Sequence, residues 1–543
     1  MTPEDELGSA HKAEQELPPE TEITPETVTP EDKEAWERKY AGEYELTDAG
    51  IGRVEEVIVS YTDPLELQDA ISRQELFSPD KKIRILCPPS VDLTEFQNTY
   101  FSMLRERGIP FDEQNISFQQ ATAVQTPWMR DSMLRGKNPR TGKDAIFDHH
   151  HNQAPNWTFR AIKRPNDADL SRELATLLPE TEFHEISPYF EGGDMRAVGP
   201  YIFIGKNTFE RAKDSFDLFE GSYFVLPDGE VRGVGDRPRE EMQRELGEGA
   251  VFHEAPEEGT DHWVIQIGEK YYDQSAISKE EIGEKIKAEY QRLFGREVMI
   301  VGEGIPKKQP AGHIDMFITF LPNKDGKPTV VVGDAGLTKK MLNGMDKDDL
   351  SEETAEGSDL IDRQFKQLEG IPTSESFTDE QKKNTGSEYV LNNLAMVNAE
   401  RYRDILNGKI DPERHADYYT AWHKKVEKFE AGLNAHAEWF KQRGFEVERI
   451  PIVPQPRADQ GKLEAYKAAI SINTFNNGLV EAYVDEENRL QKSFAMPSYG
   501  FRKLEHAAAE VFRKHGYKVK KSPLVHYPYN KGAWNCSTQE KRS

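Results

Sequence analysis

Cysteine is nearly absent: two residues in a chain of 543 exclude a disulfide framework as the source of stability. Also missing is any apolar run of membrane-spanning length, and the N-terminus has no basic stretch leading into an apolar one. A soluble, cytoplasmic protein that contacts no membrane is therefore expected. Basic residues are outnumbered, 70 Lys and Arg against 96 Asp and Glu, for a net charge of −26. That balance repels nucleic acid and anionic lipid at long range and favours a small cationic substrate. Neither a Gly-x-Ser-x-Gly elbow nor a phosphate-cradling glycine loop occurs, so serine hydrolase and nucleotide chemistry lose their usual carriers.

The two cysteines present sit in opposite settings. Cys87 ends the apolar run Ile83-Arg84-Ile85-Leu86, where a thiol behaves as a small hydrophobe. Cys536 follows the break Asn530-Lys531-Gly532 and precedes Ser537-Thr538-Gln539, where backbone amides can point at a thiolate.

Residues 1–49 are rich in Glu, Pro and Thr and read as a disordered acidic tail, leaving 50–543 as the folded domain. Order is expected to begin with the Val54–Tyr61 strand. From there one pattern occurs five times: an amphipathic helix, a Gly or Pro stop, a short strand, then a polar signature. The helices carry Phe96, Tyr100 and Leu104; Leu170, Leu174, Leu177 and Leu178; Ile282, Ile286, Tyr290 and Leu293; Val426, Phe429, Leu433 and Phe440; and Leu504, Ala508, Val511 and Phe512. The signatures are Trp128-Met129-Arg130-Asp131, Glu191-Gly192-Gly193-Asp194, Gly312-His313-Ile314-Asp315, Ile472 to Asn477, and the Cys536 stretch. Five such modules suggest an α/β repeat whose strand ends converge on one axis, while periodicity alone serves an ordinary α/β sheet with unrelated loops equally well. Two stretches, about 219–262 and 336–420, fall outside the modules and read as insertions forming lids or partner surfaces.

If the signatures meet, they bring together one thiol, one imidazole and the carboxylates of Asp131, Glu191 and Asp315. Carboxylates are the natural acceptors for a planar cation with several N–H donors, since each can take two parallel hydrogen bonds from a guanidinium. A thiolate at Cys536 would attack the guanidinium carbon, and His313 would protonate the departing nitrogen and then activate water. Arg130 reads as a structural ion-pair partner, and Trp128 as core or as a pocket wall. His149-His150-His151 cannot all face one ion on a regular strand, and a zinc site of Cys536, His313 and Asp315 would leave the remaining carboxylates without a purpose. No metal and no cofactor is expected.

Taken in order, Trp-x-Arg-Asp at 128–131, Glu-Gly-Gly at 191–193, Gly-His-x-Asp at 312–315 and Cys-x-Thr-Gln at 536–539 resemble the agmatine deiminase and bacterial peptidylarginine deiminase group. These are guanidino-modifying enzymes of the pentein superfamily. The resemblance spans about Val54 to the C-terminus outside the insertions. It implies a five-bladed α/β propeller with pseudo-fivefold symmetry and hydrolysis of a guanidino group to a ureido group through a covalent Cys thiouronium. It further implies Cys536 as nucleophile, His313 as acid and base, and Asp131, Glu191 and Asp315 as guanidinium partners, with Trp128 beside the substrate. The substrate so implied is agmatine, free arginine or peptidyl arginine, with a place in putrescine biosynthesis if it is agmatine. A homo-oligomer is left open.

The match has departures. Ser132-Met133-Leu134 stands where a Gly-Pro pair usually follows, Asn535 replaces a histidine common before the cysteine, and Asp194-Met195-Arg196 replaces a longer Asp-Gly pattern. Agmatine itself is therefore not secured. An amidinotransferase of the same fold, or a non-catalytic pentein that only binds, are the alternatives.

Overall fold

The structure, a computed structural model, describes residues 23–62, 66–124, 128–149, 167–186, 189–220, 223–225, 231–233, 250–254, 263–267, 270–273, 279–359, 394–409, 416–457, 469–524, 533 and 535–543. Among them the chain is an α/β fold of separate mixed sheets. One unit recurs: an antiparallel strand pair, a helix, and a third strand that returns parallel to the second.

The unit is plainest in the last two copies. Ile318–Leu321 pairs antiparallel with Thr329–Asp334, and Val447–Arg457 returns parallel to it after the Ala416–Gln442 helix. Leu479–Val484 and Arg489–Ser498 form the next antiparallel pair, joined by the Arg502–Lys514 helix to a parallel Lys518–Pro523. Leu134–Lys137, Asp144–His149 and Thr181–Ile186 repeat the pattern, as do Met195–Val198, Tyr201–Gly205 and Glu297–Val301. The remaining copy is split between the chain ends. Gln539–Arg542 lies antiparallel on Val54–Ser60, which Lys82–Cys87 and then Ile116–Gln120 follow in parallel. This split seats the Cys536 stretch immediately before the strand that completes the first sheet.

The helices form where the sequence spacing places them. In Ala416–Gln442 the buried residues Tyr418, Trp422, Val426, Phe429, Leu433, His436 and Phe440 fall three or four apart, one stripe of a 3.6-residue helix, and Gly444 ends the turn at φ +73°. In Leu93–Glu106 the Asp92 carboxylate caps the N-terminus by accepting from the amides of Thr94 and Glu95, and Phe96, Tyr100, Phe101 and Leu104 are buried.

Within and just beyond the stretch at 219–262, the described residues form small hairpins and sheets. Tyr223–Val225 pairs with Val231–Gly233, and Ala250–Glu254, Trp263–Ile267 and Lys270–Asp273 form a sheet of their own that runs past residue 262. The region 336–420 is bound more closely to the fold: the Tyr402 hydroxyl donates to the Pro454 carbonyl at 2.7 Å and the Ala395 amide to Gln455 Oε1 at 3.0 Å.

The disordered tail expected for residues 1–49 needs correction from Ile23 onward; residues 1–22 lie outside the described residues. Glu26–Thr27 pairs with Leu490 and Arg489, Thr29 caps the Pro30–Trp36 helix, and Glu45–Leu46 pairs with Lys137 and Gly136. Composition misled because the segment has few apolar residues, yet Val28, Trp36 and Leu46 are all buried against other sheets. A chain starting at Gly50 is therefore expected to be unstable. The narrower variant Trp36→Ala should cost about 3–5 kcal/mol, read by equilibrium denaturation.

Candidate active site

Four segments distant in sequence meet at Cys536. The Met129–Ser132 turn is latched to the C-terminal stretch through Gln539, whose Nε2 donates to the carbonyls of Met129 (3.1 Å) and Met133 (2.9 Å). In return the Arg130 amide donates to the Cys536 carbonyl at 3.0 Å. The Arg130 guanidinium pairs with the buried Glu540, the structural role its sequence suggested.

The paired glycines of Glu191-Gly192-Gly193 are needed for close approach. A Cβ at Gly192 would lie 2.0 Å from the Arg130 carbonyl oxygen, and one at Gly193 would lie 2.5 Å from His313 Nδ1. Asp194, fully buried, accepts from the Ile314 amide (2.7 Å), Gln309 Nε2 (2.9 Å) and the Thr208 amide (3.1 Å), so it holds the backbone that presents His313. Burial pushes its carboxyl up to about 7.

His313 stands between two carboxylates: Nδ1 is 3.4 Å from Asp131 Oδ1, and Nε2 is 2.8 Å from Glu191 Oε2. Only the imidazolium offers a proton to both. Burial draws the His313 pKa down, but Asp131, the Cys536 thiol and Glu191 outweigh it and hold the group well above its ordinary value. Glu191 also accepts from the Tyr189 hydroxyl (2.5 Å) and pairs with Arg211. Burial opposes its ionisation, but His313 and Arg211 prevail and its pKa falls below the usual range.

Cys536, 3% exposed, is held at both ends by one side chain: Asn477 Nδ2 donates to its sulfur (3.1 Å) and Asn477 Oδ1 accepts from its amide (3.1 Å). The sulfur lies 3.4 Å from Asp315 Oδ2. Burial and the Asp315 carboxylate push the thiol up to about 11. The same Asp315 oxygen accepts from Asn535 Nδ2 (2.6 Å) and Arg196 (3.2 Å), while Asp315 Oδ1 is buried with no hydrogen-bond partner among the described residues.

Neither a protein-family model nor a curated protein matches this chain. Solved structures do match at low identity. A putative agmatine deiminase shares 12% identity at a TM-score of 0.47, covering 96% of this chain and 99% of that one. The agmatine deiminase of C. jejuni shares 12% at 0.44, covering 92% and 96%. A putative arginine deiminase from Porphyromonas gingivalis shares 12% at 0.45, covering 92% and 98%.

All five reactive side chains singled out in the sequence, Cys536, His313, Asp131, Glu191 and Asp315, thus lie together. The carboxylates are engaged differently from the expectation that each faces substrate: Asp131 and Glu191 flank His313, and Asp315 carries Arg196. Trp128 packs in the main apolar cluster with Ile314 and Phe317. His149 is buried edge-to-face on Tyr189, and His150 and His151 lie outside the described residues. Sequence reasoning flagged the stretch containing Asn477 without giving it a role, and it missed Tyr189, Arg196 and Arg211. Arg211 has no local signal, since its partner lies 20 residues away in the chain.

Glu191→Gln is expected to remove the shared partner of two partly buried cations, His313 and Arg211, and to cost about 1.5–3 kcal/mol, the usual worth of hydrogen bonds to a charged group. The pH dependence has a definite sign. A carboxylate with a depressed folded-state pKa adds stability above its unfolded value, about 4.3, and loses it as pH falls through the folded value. Wild-type protein should therefore lose stability on acidification toward and below pH about 4, with a shallower slope in the variant, as measured by urea unfolding at each pH.

Proposed function

We propose that this protein is a cysteine-dependent deiminase that converts the guanidino group of agmatine or of free or peptidyl arginine to a ureido group with release of ammonia. The observation that carries this reading is Asp315: one oxygen lies 3.4 Å from the Cys536 sulfur while the other is buried and has no hydrogen-bond partner among the described residues. A buried acceptor left open costs about 1–3 kcal/mol, and a guanidinium N–H satisfies it while bringing the electrophilic carbon to the sulfur. The cation would also lower the Cys536 pKa by its charge.

In this mechanism the thiolate adds to the guanidinium carbon. The C–N bond then breaks as His313 gives its proton to the departing ammonia, leaving a thiouronium on Cys536. Neutral His313 takes a proton from water, the hydroxide adds, the C–S bond breaks to regenerate the thiolate, and the new hydroxyl gives its proton to solvent as the ureido product leaves. Asp131 and Glu191 serve by keeping His313 protonated for the first half. The five-bladed ring is part of the same proposal. Five copies of one strand–strand–helix–strand unit, the first completed by the C-terminal strand, support a closed propeller over an open sheet.

The test is a panel of agmatine, arginine and an arginine-containing peptide, each without an acceptor amine, scored for ureido product and ammonia. Equal amounts of the two from one substrate are expected. Product only after an amine is added, with no ammonia, would identify an amidinotransferase.

A further inference from the structure

The chain is strongly acidic, yet one cavity that shares no lining residue with the Cys536 cluster carries more cations than carboxylates on its wall. It measures about 420 Å³, within the range that small-molecule sites occupy. Its origin lies in the fifth sheet. Along one edge of Arg489–Ser498, Glu26–Thr27 pairs with residues 489 and 490 and Lys518–Pro523 pairs from Ser493 onward. Among the described residues Gln491 and Lys492 have no strand partner on that side, and both line the cavity.

Five cations line it against two carboxylates. Two of the cations are already matched: Lys81 pairs with Glu481 at 2.6 Å, and Arg53 pairs with Asp80. Glu481 is further committed to the Val54 amide (2.8 Å) and the Ser493 hydroxyl (3.1 Å). Lys492, Lys518 and Lys520 remain; among the described residues none has a carboxylate within ion-pair distance, and Glu26 on the same wall acts on Lys492 through its charge. Lys520 Nζ donates to the Leu76 carbonyl at 3.2 Å and Lys492 Nζ to the His515 carbonyl at 3.3 Å, which leaves other N–H donors on each ammonium. Burial, with Lys518 and Lys81 close by, lowers the pKa of Lys520, and burial lowers that of Lys492. Three lysines on the wall of one cavity, two of them with N–H donors to spare beside their single carbonyl bond, form a receptor for negative charge.

We propose that this cavity is a binding site for a small polyanion carrying two or more phosphate or carboxylate groups, held by Lys492, Lys518 and Lys520. One donor triad can serve either oxyanion, so the experiment separates them. Full-length protein is titrated with inorganic pyrophosphate and with citrate at matched ionic strength, by calorimetry and by thermal unfolding. At least one should bind saturably and raise the Tm with concentration, as ligand binding to the folded state requires. The better binder of the two identifies the oxyanion. Lys518→Glu alters an exposed side chain and should leave the unliganded Tm unchanged while weakening binding at least about tenfold. Lys518→Gln with Lys520→Gln should weaken it further. Cys536→Ser should bind as wild type, which separates this site from the proposed reaction. The assignment is overturned if neither anion binds saturably, or if the lysine variants bind as tightly as wild type.

Discussion

Cys536→Ser is expected to lose turnover on the order of 10⁶-fold, the scale seen when a catalytic nucleophile is removed. A serine hydroxyl in the same cage would still accept from Asn477, so the fold should survive while the sulfur's ionisable and polarisable character is gone. A haloamidine that mimics the substrate should label Cys536 and spare Cys87. Resting acidity does not decide this selectivity, because burial pushes Cys87 up to about 12 and burial with Asp315 pushes Cys536 up to about 11. Recruitment decides it. Cys87 is fully buried in a strand among Val59, Ile85 and Phe96, whereas Cys536 lies beside Asp315, whose open oxygen attracts the cationic head. Peptide mapping after labelling gives the result, and equal modification of both thiols would remove Cys536 from the proposed role.

The helices and the returning strands were legible because their signals are local. Leu504, Ala508 and Phe512 mark one helix face, and Gly516 at φ +79° ends it, with no information needed from elsewhere in the chain. The N-terminal segment was misread for the opposite reason. Trp36 is one aromatic in a run of Glu and Pro, and its burial depends on Ala482 and Leu490, more than 440 residues away. Low apolar density argues for disorder only when no distant surface waits to be covered.

The site divides along the same line. Side chains whose chemistry is written in a motif, such as Glu191 or His313, could be named from sequence, whereas the close approaches that require Gly192 and Gly193 appear only in the fold. The pairing of those side chains could not be named from sequence either. Three carboxylates invite one shared cation, but the folded chain distributes its own cations among them, Arg211 to Glu191 and Arg196 to Asp315. Motifs specify residue types, whereas the direction of a carboxylate depends on backbone brought from elsewhere, as Asp194 does for the His313 loop. The lysine-lined cavity was invisible for a related reason, since its wall combines residues from both ends of the chain.

The second large effect concerns the proton on His313. His313→Gln should lower turnover about 10²–10⁴-fold, the usual worth of a general acid or base, and the loss should fall on both halves of the reaction. Without a proton donor the C–N bond breaks slowly, and without a base water attacks slowly, so any thiouronium that forms should persist. Intact-protein mass spectrometry would then show substrate-derived mass on Cys536 that wild type clears. Asp131→Asn tests the electrostatics with the imidazole kept. Asp131 is the largest influence raising the His313 pKa, so its neutral replacement must lower that pKa. The acid form of His313 is required for ammonia to leave, and the form is lost as pH rises through the pKa. The alkaline limb of the kcat profile should therefore move to lower pH in Asp131→Asn, while Lys518→Glu, which is not among the groups acting on the imidazole, should leave it in place. An unmoved alkaline limb would mean that the proton required for turnover is held elsewhere.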